Sequence, residues 1–185
     1  MSFLKLYDSA APDAVTLSLT HGEKIQAFLA DQGVRFERWQ ASQPLEQGAD
    51  QEAILAAYDR EVTRLKQDNG FQTADVISLT PDHPDKAALR EKFLSEHIHT
   101  EDEVRFFVRG QGLFYMHLGD KVAVVGCSQN DLISVPAGTK HWFDMGDTPN
   151  FTCIRLFTNP EGWVAQYSGD RIADNFPRFE HLVSA

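Results

Sequence analysis

The chain has 185 residues, of which 42% are hydrophobic and 24% charged, a composition typical of one globular domain of ordinary size. Its net charge of −10 disfavours nucleic acid and anionic membranes as partners, because both would repel such a surface. No apolar run approaches the ~20 residues of a membrane-spanning helix, and the first residues lack the pattern of a secretory signal. We therefore expect a cytoplasmic protein whose cysteines, Cys127 and Cys153, are buried free thiols.

The first 96 residues combine helical periodicity with short strand-like runs. Thr20 followed by Glu23 has the spacing of a capping box and predicts the start of a helix that Gly33 ends. Beyond this helix, apolar spacing and turn residues predict strands at 34–40 and 75–80 and helices at 50–70 and 85–96.

From residue 97 the pattern changes to short β-rich runs divided by Gly, Asn, Asp and Pro. The predicted strands cover 103–109, 112–118, 121–127, 131–135 and 151–157. Strands at this short, regular spacing favour an antiparallel sandwich or barrel. We expect a mainly β protein, an antiparallel β-barrel with several peripheral α-helices. It would be one domain over 1–185, with N-terminal helices and flanking strands (1–96), a barrel core (97–160) and a C-terminal tail (161–185).

One segment has the composition of a metal site. Side chains alternate faces along a strand, so His97, His99, Glu103 and Arg105 would all point the same way if no bulge intervened between residues 100 and 102. Two imidazoles and a carboxylate on one face suit a divalent first-row metal. The alternative is an exposed acidic strand with ordinary histidines. A fourth candidate ligand, His141, follows a Pro/Gly turn at 136–138.

These two segments resemble the cupin motifs. His97-x-His99-x3-Glu103-x6-Gly110 is similar to the first motif, and Pro136-x-Gly138-x2-His141 is similar to the core of the second. The sequence departs from the second motif at residues 130 and 145, where Asn and Met replace Gly and Asn. Longer stretches, at 34–41, 88–115, 130–146 and 151–170, resemble the bacterial acireductone dioxygenase family.

That resemblance implies a cupin fold, jelly-roll-like, and one Fe(II) or Ni(II) per chain held by His97, His99, Glu103 and His141. The implied substrate is 1,2-dihydroxy-3-keto-5-methylthiopentene, which reacts with O2 in methionine salvage. The iron form would give 4-methylthio-2-oxobutanoate and formate. The nickel form would give 3-methylthiopropanoate, formate and CO. The family also favours a monomer.

The resemblance further implies roles for residues around the metal. Arg105 would donate to an enolate oxygen of the substrate and favour its dianion. Glu96 and Asp102 match positions linked to metal loading and to the relay of local changes, although an ordinary structural role fits them equally well.

Four aromatic residues are candidates to enclose the methylthio tail of the substrate. Aromatic side chains in a β-barrel also serve as plain core, so packing is the alternative for each. They are Phe93, Phe107, Trp142 and Trp163.

Two other functions stay open at this stage. Another cupin dioxygenase or isomerase could use the same four ligands, and only Arg105 and the 159–163 stretch argue against it. A non-catalytic cupin module that binds a ligand is the second alternative. The complete ligand set and the lack of a basic patch disfavour it.

Overall fold

The computed structural model describes residues 1–41, 43–46, 48–159 and 164–183. β-Strands dominate these residues: β1 (Phe3–Asp8), β2 (Ala11–Leu19), β3 (Arg35–Arg38), β4 (Thr73–Leu79), β5 (His97–Ile98), β6 (Glu103–Leu118), β7 (Lys121–Ser128), β8 (Asp131–Val135), β9 (His141–Asp144), β10 (Phe151–Phe157) and β11 (Gln166–Tyr167). The helices are α1 (Gly22–Asp31), α2 (Gln51–Ala57), α3 (Asp59–Asn69), α4 (Lys86–Phe93) and α5 (Phe179–Leu182), with a 3₁₀ turn at Ile172–Asn175.

Strand β6 organises the sheet because its two halves pair with different neighbours. Its first half pairs with β8 and β10, which continue to β3 and β4. Its second half pairs with β7 and β9 in the order β11-β5-β9-β6-β7-β1-β2. All these pairs are antiparallel. Among the described strands, β2, β3, β4 and β11 each pair on one side only, so the hydrogen-bonded ladder does not close.

Gly110 lies where β6 changes partners. Its φ is +75°, and a Cβ placed there would lie 1.9 Å from the carbonyl oxygen of Asn150, so only glycine fits this close approach of two strands. The change in backbone direction around Gly110 also changes which side chains of β6 face inward. Phe107 faces the inner core before it, whereas Phe114 and Met116 do so after it.

Three apolar clusters fill the structure. The largest takes residues from both halves of β6 and from the strands paired with each half, so it occupies the space between the two parts of the sheet, and it includes the free thiols of Cys127 and Cys153. A second cluster lies beneath α2 and α3 on the outer face of β6, β8 and β10. A third lies beneath the C-terminal segment, where Ala173 and Phe176 cover the outer face of β7 and β9.

The mainly β, antiparallel architecture with peripheral helices is confirmed, with a sheet that is open rather than closed. The hairpin of β1 and β2 was not predicted, and β1 pairs with β7 along its length. No helix in the described part of the chain has the length and apolar character needed to cross a membrane.

Two helix predictions were wrong in detail. His21, not Thr20, precedes the first helical residue and makes no side-chain cap, so the capping box is absent, while Gly33 ends the helix as expected. The helix predicted at 50–70 is two helices that meet at Tyr58. Tyr58 leaves helical geometry as its buried ring packs on Phe106, with centroids 4.7 Å apart.

Candidate metal centre

Three histidines and a glutamate converge at one end of the inner space. His97 lies on β5 directly opposite His141 at the start of β9, Glu103 begins β6, and His99 lies in the turn between β5 and β6. One ligand atom from each of the four lies within 4.8 Å of the others, and the residues are only 2–7% exposed. The alternative of an exposed acidic strand is therefore wrong.

The carboxylate of Glu103 is the centre of this cluster. Its Oε2 lies 2.8 Å from Nε2 of His141 and 3.1 Å from Nε2 of His99. The ring of His97 lies 4.5 Å from that of His141 and 4.9 Å from that of His99, centroid to centroid. The strand does break between β5 and β6, yet the four side chains still converge.

The backbone fixes the orientation of all three rings. The Nδ1 atoms of His97, His99 and His141 lie 2.7, 3.2 and 2.7 Å from the carbonyl oxygens of residues 95, 164 and 139. A carbonyl can only accept, so each Nδ1 donates to its carbonyl, and Nε2 is the ring atom that faces the cluster. This arrangement sets the tautomer that a metal requires.

Burial and nearby charges shift the pKa values of the side chains in the cluster in different directions. Burial opposes ionisation of Glu103, but the charge of Arg105 and bonds from His141 and His99 hold the pKa of Glu103 well below its usual range. Burial, helped by nearby His141, lowers the pKa of His97 to about 4, so this ring is neutral at pH 7. Burial also opposes charge on His99, yet its bond to Glu103 leaves the pKa of His99 raised.

The donor set fits a divalent transition metal. Imidazole nitrogens together with one carboxylate oxygen suit iron, nickel, copper or zinc, whereas Mg²⁺ and Ca²⁺ prefer oxygen ligands alone. Glu103 is ionised and His97 is neutral at pH 7, as ligation needs, whereas Nε2 of His99, which bonds to Glu103, must give up its proton when a metal binds. The chain therefore contains a four-residue metal-binding site.

Arg105 adjoins the site as predicted from its position two residues after Glu103. Its Nε lies 2.8 Å from Oε1 of Glu103, and the side chain is 9% exposed. The guanidinium carbon lies 4.7 Å from the ring centroid of Phe143, 5.6 Å from that of Phe114 and 5.9 Å from that of Phe93. The aromatic faces shield this cation from water and stabilise it.

A cavity of about 500 Å³ opens onto the histidines and Arg105. Its wall is largely apolar, with a lysine or an arginine at three positions. The lining residues are Ile77, Leu79, Lys92, Phe93, His97, His99, Arg105, Phe151, Arg155, Val164, Ala165 and Tyr167.

Three of the four predicted aromatic residues lie in the described part of the chain, and of these only Phe93 lines this cavity. Phe107 is fully buried between the sheets, 6.2 Å from the ring of Phe151. Trp142 stacks on Tyr115 on the outer face, because it follows the ligand His141 and adjacent strand residues point to opposite sides. Both placements correct the prediction, and Trp163 lies outside the described residues. Sequence reasoning missed Leu79, whose strand pairs with β10, because strand pairing carries no local signal.

The two flanking acids contact structural groups. Glu96 is 1% exposed, and its Oε2 accepts a hydrogen bond from Nδ1 of His117 at 2.9 Å. His117 thus lies outside the ligand cluster, and its partner adjoins His97. Asp102 accepts from the backbone N–H of Ala137 at 2.9 Å, in the turn that precedes His141. Each acid therefore ties together two segments that carry ligands.

An antiparallel jelly-roll-like sheet that holds three histidines and a glutamate in its inner space defines a metal-binding cupin. Comparison with known proteins gives the family. The model of the ARD/ARD′ family matches residues 4–165, and the chain belongs to this family.

Similar proteins cover almost the whole chain. The acireductone dioxygenase of Hahella chejuensis is 60% identical over 183 residues, which are 99% of this chain and 98% of that protein. That of Pseudomonas aeruginosa is 57% identical over 180 residues, 97% and 99% of the two chains. The solved structure of acireductone dioxygenase from Bacillus anthracis, with a cadmium ion in its active centre, is similar with a TM-score of 0.78 and 30% identity. It covers 90% of this chain and 98% of that one.

Proposed function

We propose that this protein is an acireductone dioxygenase that cleaves 1,2-dihydroxy-3-keto-5-methylthiopentene with O2 in methionine salvage. The observation that carries the proposal is the metal-binding site beside Arg105 at the end of a cavity of about 500 Å³. Relatives 57–60% identical over nearly the full chain bear the name of this activity.

The metal is proposed to be Fe(II) or Ni(II), one per chain, held by His97, His99, Glu103 and His141. When bound, it would supply Lewis-acid chelation of the substrate oxygens. The iron-loaded protein is expected to release 4-methylthio-2-oxobutanoate and formate. The nickel-loaded protein is expected to release 3-methylthiopropanoate, formate and CO.

Arg105 is proposed to donate N–H groups to an enolate oxygen of the substrate. Its guanidinium stays charged and is shielded by Phe143 and Phe114, so its field on a bound anion is stronger than in open water. The contact of its Nε with Glu103 fixes the side chain beside the ligands. A cation held in place favours the doubly ionised substrate, which is the form that gives up electrons to O2 most easily.

The apolar wall of the cavity is proposed to receive the methylthio tail. Ile77, Leu79, Phe93 and Phe151 line it, and burial of the thioether against them excludes water from the reacting end. Trp163 stays a candidate for the same wall.

Glu96 and Asp102 are proposed to position ligands. Glu96 bonds to His117 on β6, and His117 donates its backbone N–H to residue 140 beside His141 at 2.9 Å. Asp102 holds the turn that leads to His141. The two acids therefore fix the segments that carry His97 and His141 relative to each other.

The first test is O2 uptake with freshly generated acireductone, comparing metal-free protein with protein reloaded with Fe(II). Spontaneous oxidation of the substrate sets the baseline. Metal-dependent uptake well above it, with formate formed, is the expected result. No acceleration by protein shown to bind one metal would overturn the proposal and favour another cupin dioxygenase or isomerase, or a binding module.

Variants test the residue roles. Replacing His97, His99 or His141 by Ala should remove bound metal and turnover together, and metal retained by all three variants would contradict the ligand assignment. Arg105→Ala should keep the metal and lose at least tenfold in kcat, a loss typical of one removed electrostatic contact. An unchanged kcat would remove Arg105 from the mechanism.

We also propose that the protein is a cytoplasmic monomer of one domain. Its two cysteines are free and buried, as suits a reducing compartment. Sedimentation at several concentrations tests the oligomeric state, and a constant mass near 20.8 kDa is the expected result.

A further inference from the structure

The cavity beside the metal site has a charge opposite to that of the protein. The chain carries a net charge of −10, yet the charged side chains that line the cavity in the described residues are Lys92, Arg105 and Arg155, all cations. Glu103 and Asp75 contact two of these cations but do not line the cavity themselves. An enediol conjugated to a carbonyl is acidic, so the proposed substrate approaches as an anion that the rest of the surface repels.

Two of the three cations are balanced by carboxylates. Arg105 contacts Glu103 at 2.8 Å, and Arg155 bonds to both oxygens of Asp75 at 2.9 and 2.6 Å. Arg155 lies directly opposite Arg105 on the paired strands, a like-charge pair that these carboxylates offset. Their net contribution at the mouth of the cavity is therefore small.

Lys92 differs from both arginines. It lies in the last turn of α4, next to Phe93, and is exposed to solvent at the cavity. No carboxylate of the described residues lies within 4.0 Å of its amine. The charge of the Lys92 amine is therefore not offset by a neighbouring carboxylate of the described residues, and it acts on an anion that enters the cavity.

We propose that Lys92 is a positioning residue at the cavity entrance that attracts the anionic substrate into the cavity. The proposal rests on the proposed function, which supplies the anion. Lys92 is exposed at the cavity, whereas Arg105 is buried beside the ligands. We therefore expect Lys92 to affect capture of the substrate but not the rate of the chemical step. The alternative is an ordinary solvated lysine with no influence on turnover.

The expected effect is modest and depends on salt. One unpaired charge at an exposed site changes encounter and binding by roughly three- to tenfold at low ionic strength. Lys92→Gln should lower kcat/KM by that factor at 10 mM salt, where the Debye length is about 30 Å, and leave kcat unchanged. At 300 mM salt the difference from the wild type should shrink below twofold.

The matched control is Lys24→Gln. Lys24 is exposed on α1 and does not line the cavity, so this variant makes the same change in net charge at a remote place. Lys92→Arg, which keeps the charge, should restore kcat/KM. Bound metal and the melting temperature of each variant should match the wild type, because an exposed lysine supports neither.

The experiment measures kcat and KM for the Fe(II)-loaded variants at several salt concentrations. Equal kcat/KM and equal salt dependence in Lys92→Gln and Lys24→Gln would overturn the role of Lys92. A loss in Lys92→Gln that Lys92→Arg does not restore, or that persists unchanged at high salt, would also overturn it. If the wild type shows no metal-dependent turnover, the proposed function is wrong. That outcome differs from the ones that overturn only the role of Lys92, because those require an active wild type.

Discussion

Removal of the buried carboxylate of Asp144 should destabilise the protein more than removal of an exposed carboxylate does. Asp144, at the end of β9, is 0% exposed and accepts four hydrogen bonds. Two come from Arg90 on α4, at 2.8 and 3.1 Å. The others come from the backbone N–H groups of Gly146 and Phe179, at 3.0 and 2.9 Å. One side chain therefore joins α4, β9 and α5.

The magnitude follows from what Asp144→Ala leaves behind. The guanidinium of Arg90 is 17% exposed and would lose its buried partner, a change that costs about 3–5 kcal/mol. Arg90 keeps its bond to Glu180 at 2.8 Å, so we expect the lower end, about 3 kcal/mol. For a chain of this length that corresponds to a fall in the melting temperature of roughly 6–12 °C.

The assay is urea unfolding of metal-free protein at pH 7, followed by tryptophan fluorescence and circular dichroism. Asp144→Asn, which keeps the shape and one carbonyl acceptor, should lose less than the alanine variant. Asp174→Ala is the matched control: Asp174 is exposed, its partners are the exposed Arg171 and the half-buried Arg178 at 2.8 and 3.4 Å, and the expected cost is about 1 kcal/mol or less. A cost below 1 kcal/mol for Asp144→Ala as well would refute the reasoning.

Two further predictions concern the surroundings of the metal. The pKa of His97 is about 4 in the folded chain and near 6.5 in the unfolded one, so unfolding takes up a proton between these values. The unfolding free energy of the metal-free protein should therefore fall by up to about 3 kcal/mol from pH 6.5 to pH 4. In urea unfolding at fixed pH, His97→Asn should show a flatter profile, and equal slopes would contradict the assignment. Glu96→Ala should weaken Fe(II) binding up to about tenfold in competition with a chelator. Glu96→Gln should restore it, since its oxygen still accepts from His117; equal affinities of the two variants would count against a positioning role.

The sequence predicts the ligands better than their surroundings. Two short motifs contain the four ligands, and alternation along a strand places Arg105 beside Glu103. The same alternation, applied to Trp142 after His141, would have placed this ring on the outer face, where it lies. The cavity wall was not predictable, because Leu79 reaches it through the pairing of β4 with β10, distant in sequence. The break at Tyr58 coincides with a tertiary contact, the packing of its ring on Phe106, which the local sequence does not reveal.

The three carbonyl groups that orient the ligand rings belong to the main chain. A main-chain oxygen is present whatever side chain stands at residues 95, 139 and 164, provided that the local backbone path is kept. A substitution at residue 95, 139 or 164 therefore does not remove the acceptor that orients the ring of His97, His141 or His99. Sequence drift around the metal can change charge, size and polarity without turning the wrong nitrogen toward the ion. In directed evolution, therefore, these three neighbouring positions are the ones at which we expect a broad choice of side chains to leave the metal site intact.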